Sequence, residues 1–318
     1  VSRAAAVAIG VAAVLGACGD SRLTPDADVG PWRRVASLPA ARLEPATAAW
    51  RGKLVVLGGF GPTLAIERSR DELDPLTGAW SRGPDAPVAW THAQLAAVGD
   101  RLVLAGGLAS TDFVARGEVF VDAGGGWQAR ASLPTGAERG SAGVAADATT
   151  LYLIGGASTT AALASAWAYD VDADAWRALP DLPSPRSHPV AMVASDGALI
   201  VAGGLRTLDA TQPLAEVLAL PPGASAWVPR APMPTARGGC AAGVVDGELW
   251  CVGGEAGAAA LATVEVYDPR ADRWRSLPGL PAPRAGTQGA AVAGAMLVPG
   301  GAARLAYQPE ASVFGWAP

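Results

Sequence analysis

Six times along the chain a short apolar run ends in two glycines: LVVLGG, LVLAGG, LYLIGG, LIVAGG, LWCVGG and MLVPGG. The first glycines are Gly58, Gly106, Gly155, Gly203, Gly253 and Gly300, at intervals of 48, 49, 48, 50 and 47 residues. Tryptophan keeps the same rhythm. Trp32, Trp80, Trp127, Trp176, Trp227 and Trp274 each stand 26 to 28 residues before a glycine pair. Within a unit the order is constant: tryptophan, an LP-like turn, a run of small residues, a turn such as DG, and the apolar run with its glycines. A variable loop and a run such as VEVYDP (Val264 to Pro269) complete it. Short runs bounded by Gly, Pro and Asp read as strands, four to a unit, and no stretch has good helical periodicity. A period of this size, roughly 20–50 residues, signals a repeat architecture.

Composition and spacing resemble the kelch repeat of β-propellers from Trp32 to Pro318. The resemblance implies an all-β fold, a six-bladed propeller with four-stranded antiparallel blades. Blades narrow towards the axis, so inner strands need small residues; GGCAAGVV and GTQGAAVA supply them. Paired glycines permit close backbone approach and positive φ. Tryptophan on the outer strand fills the wider gap between blades.

The repeat also explains how the chain ends. Phe120, Tyr169 and Tyr267 each lie 13 residues after a second glycine, and the same count from Gly301 reaches Phe314. The chain then stops on the third strand of unit six, and WRRVASLP from Trp32 supplies the missing outer strand. In the other reading Tyr307 is that aromatic and Trp316 opens the fourth strand, at the cost of a very short loop.

Composition narrows the partners. A net charge of −5 and a single lysine, Lys53, argue against nucleic acid. Residues 1–17 resemble a bacterial lipoprotein signal peptide: Arg3, an apolar stretch, then LGAC ending at Cys18. The stretch is shorter than a transmembrane helix needs, and the resemblance implies lipidation of Cys18. Residues 18–31 are polar and read as a tether, and residues 32–318 form the propeller. This predicts a monomer, lipid-anchored and extracytoplasmic in a bacterial envelope. Gly19 after the cysteine points to the outer membrane if the cell has one.

In each unit the arginine register opens the inner strand, near the mouth of the axial channel. It holds Arg42, Trp90, Arg139, Arg186, Arg237 and Arg284, with Arg139 displaced by two residues within its unit. Two residues further on stand Glu44, His92, Ser141, His188, Gly239 and Gly286. One reading is a binding mouth, with arginines for carboxylate or phosphate and Trp90 as a stacking platform. The other has the arginines bonded to backbone carbonyls between blades. His92 and His188 are the only histidines. A metal would need further ligands converging on both, and Glu44 is the only acid at that register, so no metal site and no cofactor is assigned.

Cys240 and Cys251 flank the Asp246-Gly247 turn on one sheet face, diagonal to each other, and either a disulfide or two thiols fits that geometry. DVDADAW lacks the glycine of a calcium loop, and DAGGGW lacks the serine of a sialidase Asp-box, so both read as repeat turns. No phosphate-binding loop, nucleophile elbow or zinc-protease motif occurs. The expected function is a protein- or glycan-binding module. The alternatives are a sugar mutarotase, similar to the kelch-type N-acetylneuraminate epimerases, and a structural envelope component.

Overall fold

In a computed structural model the described residues are 30–304 and 308–316. Their regular structure is all β, in six four-stranded antiparallel sheets and one two-stranded hairpin. Blade 3 shows the plan: Gly143–Ala146, Thr150–Ile154, Ala166–Asp170 and Ala175–Leu179 pair in that order from the axis outwards. The innermost strands are Ala46–Trp50, Gln94–Val98, Gly143–Ala146, Val190–Val193, Ala241–Val245 and Ala290–Val292. Each touches the next, and the last touches the first, so the sheets close into a ring.

The core lies in the gaps between blades. Val190, Met192, Ile200 and Ala219 of blade 4 pack against Leu249, Cys251 and Tyr267 of blade 5, and similar clusters fill the other gaps. Outer tryptophans tie blade to blade. The indole N–H of Trp127 donates to Pro84 O at 3.0 Å, that of Trp176 to Ala131 O at 2.9 Å, and that of Trp227 to Pro180 O at 2.8 Å.

Blade 6 joins the first and last strands of the described residues. Ala290–Val292, Ala295–Pro299 and Glu310–Trp316 supply its inner strands, and Trp32–Arg42 pairs outside them. Trp32 faces Trp316, Arg34 faces Phe314 and Arg42 faces Glu310. Trp316 therefore belongs to the third strand and does not open a fourth; Tyr307 lies outside the described residues. The thirteen-residue count needs one adjustment. Phe314 is in the third strand, but the residue facing Trp32, as Tyr169 faces Trp176, is Trp316. Cys18 and residues 1–29 lie outside the described residues.

The glycine pairs have a specific task. In every unit the second glycine donates its N–H to the carbonyl at the next unit's arginine register: Gly59 to Trp90, Gly107 to Arg139, Gly156 to Arg186, Gly204 to Arg237, Gly254 to Arg284 and Gly301 to Arg42. The same carbonyl would sit within 2.8 Å of a Cβ on the first glycine, whose φ is 62–67°. No other residue tolerates both conditions.

Candidate functional site: the axial mouth

The arginine register is structural. Arg139, Arg186 and Arg237 are fully buried, and Arg42 and Arg284 are 3% exposed. The Arg139 guanidinium donates to Gly155 O, Ser165 O and Ala137 O, each at 2.8 Å. Burial lowers its pKa to about 10. Arg186 pairs with Glu216 and Arg237 with Glu265, which joins the Cys251 carbonyl in holding that guanidinium. Arg42 reaches Asp71 at 3.5 Å; Arg284 donates to Ser312 Oγ at 2.6 Å and lies over the Phe314 ring. Of the two readings of this register, the anion-holding one is therefore corrected in favour of the one with arginines bonded to internal oxygens, because a guanidinium engaged there has no free fork to offer. Arg139 occupies the common register, since its carbonyl accepts from Gly107 as Arg186 O does from Gly156.

Trp90 is corrected as well. Its side chain is 5% exposed, 6.0 Å from the Phe120 ring, and it packs onto Gly107. It occupies the buried place that arginine takes in the other units and is a packing residue, with no face open for stacking.

Two residues beyond that register the chain makes a second ring. Glu44, His92, Ser141 and His188 have φ of 53–54°, and Gly239 and Gly286 have φ of 63°. This left-handed backbone turns five of the six N–H groups towards the preceding unit. Glu44 N donates to Gly286 O, His92 N to Glu44 O, Ser141 N to His92 O, His188 N to Ser141 O and Gly239 N to His188 O, at 2.7–3.3 Å. Glycine satisfies the geometry without strain, and blades 5 and 6 use it. In blades 1–4 larger side chains crowd the axis despite the strain.

Those side chains converge. His92 Nε2 is 3.5 Å from Glu44 Oε2, and the His92 and His188 ring centroids are 5.4 Å apart. One ligating atom from each of Glu44, His92 and His188 lies within 4.8 Å of the other two. His92 Nδ1 is 2.8 Å from Thr91 Oγ1, and His188 Nδ1 is 3.2 Å from Ser187 Oγ. Phe113 and His92 pack in a T-shaped pair with ring centroids 5.7 Å apart. Burial pushes both imidazoles down to about 4, His188 further influenced by His92, so they are neutral at pH 7. Burial also raises the Glu44 carboxyl, although His188 opposes this.

Glu255 escapes the arginine-register reading. It directly follows the fifth glycine pair, where the other units carry Phe60, Leu108, Ala157, Leu205 and Ala302. Burial, and then the Glu44 charge, push its carboxyl up to about 7. The break in an otherwise apolar register was the available signal. The glycines make room for both acids: a Cβ at Gly286 would stand 2.7 Å from Glu44 Oε1, and one at Gly239 would stand 3.8 Å from Glu255 Oε1.

Elsewhere the turn motifs are structural. Asp122 Oδ1 accepts from Gly124 and Gly126 N–H, and Asp170 Oδ1 accepts from Asp172 and Ala173 N–H. Cys240 and Cys251 are joined by a disulfide, with Ala242 directly opposite Cys251 and Cys240 diagonal to it.

The mouth opens among the loops that follow the glycine pairs. Two polar clefts lie on the same face. One, of about 500 Å³, is lined by Ile66, Arg68, Arg82 and Asp85; the other, of about 600 Å³, by Arg116, Glu118, Glu138 and Thr160.

Ring, blade number and mouth define a six-bladed β-propeller whose distinctive chemistry sits on one face. Residues 91–301 match the family model of the KLHDC2/KLHL20/DRC7 Kelch-repeats domain, which is more than half of the chain, and the protein belongs to the kelch-repeat family. That membership points to a protein-binding module. No curated protein matches the chain.

Proposed function

We propose that this is an extracytoplasmic, lipid-anchored bacterial module that docks a protein on the loop face around the axial mouth. The observation that carries the reading is the second ring. Glycine would close it without strain, yet blades 1–4 hold Glu44, His92, Ser141 and His188 there at φ of 53–54°. Backbone strain retained at one mouth is characteristic of a site. The two polar clefts extend the surface outwards from the mouth. A rigid ring with variable loops on one face is a natural recognition platform, and a glycan is the alternative occupant of that face.

A sugar epimerase is the second reading, favoured by two carboxyl groups, Glu44 and Glu255, whose pKa values are both raised by burial. A carboxyl near 7 suits general acid–base work. The reading is weakened because the arginines that would hold an anionic sugar are buried on internal oxygens.

The test uses a photo-crosslinking residue in the full chain, expressed in a bacterial envelope. It is placed at exposed Thr160 on the loop face, or at Leu76, 85% exposed on a turn of the opposite face. Discrete protein adducts from Thr160 and none from Leu76 are expected, and these should weaken in Cys18→Ser, which also loses fatty-acid labelling. Equal adducts from both faces, or none from either, contradict protein docking.

A further inference from the structure

We infer that the axial mouth binds one divalent first-row transition ion of the zinc type, held by Glu44, His92 and His188. The three offer donor atoms within 4.8 Å of one another. Glu44 Oε2 and His92 Nε2, 3.5 Å apart, already span the edge of a tetrahedral site; metal–donor distances of roughly 2.0–2.2 Å put that edge near 3.4 Å. Two imidazoles and a carboxylate select a zinc-like ion over calcium or magnesium, which prefer all-oxygen shells.

The surroundings are arranged for ligation. Each histidine has its Nδ1 beside the hydroxyl of the preceding residue, Thr91 at 2.8 Å and Ser187 at 3.2 Å. When Nδ1–H donates to that oxygen, Nε2 keeps its lone pair for a metal, the outer-shell arrangement that fixes ligating histidines. The two units repeat the device, TH and SH, at equivalent positions.

A second observation is independent of the three ligands. Ser141, in the ring between the two histidines, is 6% exposed, and its Oγ has no hydrogen-bond partner among the described residues. A buried hydroxyl without a partner is costly unless something binds there. Charge points the same way. Among the described residues Glu44 has no lysine or arginine ion-pair partner, and its carboxylate faces the His92 imidazole. A divalent cation supplies the missing positive charge. Three protein ligands leave a fourth position open towards the loop face, as in zinc sites that accept water or an incoming group.

The test is independent of the docking reading, because it needs no partner. The intact chain is stripped with a chelator, dialysed against zinc chloride, and assayed for bound metal and for melting temperature. One zinc per chain and a raised melting temperature are expected, with no response to calcium or magnesium. His92→Gly and His188→Gly install the residue that Gly239 and Gly286 already use at φ of 63°, so the ring backbone is preserved. Both should abolish zinc binding while metal-free melting stays near that of the parent. Thr91→Val, which removes the hydroxyl beside His92, should weaken zinc binding by roughly 10–100-fold. Cobalt(II) gives a readout without any variant: the parent should develop the visible absorption of a low-symmetry, imidazole-ligated ion. Zinc retained equally by both glycine variants, no zinc in the parent, or a cobalt spectrum like that of the free aquo ion would overturn the inference.

Discussion

Trp90 shows how much a single register position conceals. Its departure from the arginine pattern is visible in the sequence, and a large aromatic near a channel mouth suits a stacking surface. The side chain instead turns into the gap between strands, over Gly107 and against Phe120. Trp90→Ala is expected to cost about 3–5 kcal/mol of stability, the range for emptying a buried tryptophan site, as read by denaturant unfolding. Retained stability would mean the ring is not packed as described. His92, two residues on, faces the mouth because its left-handed backbone turns the chain there. The repeat pattern puts both residues near the axis, but rotamer and φ, which it does not encode, separate core from site.

At the scale of the strand pair, one bracket joins neighbouring blades twice. The Tyr169 hydroxyl donates to Asp174 Oδ1, which also accepts the Ala131 N–H of the preceding blade, while the Trp176 indole donates to Ala131 O. Tyr267, Asp272, Ala231 and Trp274 repeat the arrangement one step beyond blade 4. The Tyr169 hydroxyl and then the Ala131 N–H hold the Asp174 carboxyl below its usual 3.8. Its contribution is therefore present above about pH 3.8 and is lost as the pH falls through the lowered folded value. Asp174→Asn keeps a residue that tolerates the φ of 52° and should cost about 1 kcal/mol near pH 7. The deficit should shrink on acidification, as measured by unfolding at several pH values. A deficit that does not change with pH would remove the charge from the account. The alternating aspartates looked like a calcium loop or a repeat turn, and the turn reading holds for Asp170. That Asp174 reaches into another blade depends on how blades are stacked.

Across the whole molecule, stability depends on the ring being shut. Trp32 is fully buried against Trp316, with ring centroids 5.3 Å apart, and its indole donates to Pro278 O of the neighbouring blade at 3.0 Å. Removing residues 32–38 takes away this anchor and Leu38, and exposes the edge of Glu310–Trp316. A large fall in melting temperature with loss of cooperativity is expected by circular dichroism. A melt like that of the parent would show that closure contributes little.

The architecture was written in the chain alone because repetition amplifies a local rule. Six glycine pairs and six tryptophans at a fixed period state the blade count, and the surplus strand at Trp32 states how the ring shuts. Backbone packing enforces these features in every unit, so each copy confirms the others. The mouth had no such redundancy. Glu44, His92 and His188 are 48 to 144 residues apart in the chain, and no local rule says whether they meet. Their convergence, the addition of Glu255, and the burial of the arginines and Trp90 follow from the radius of the closed ring. Closure brings the second register of every blade within hydrogen-bonding distance of its neighbour and sets the first register behind it. Only the tertiary structure could decide which of those side chains share the axis.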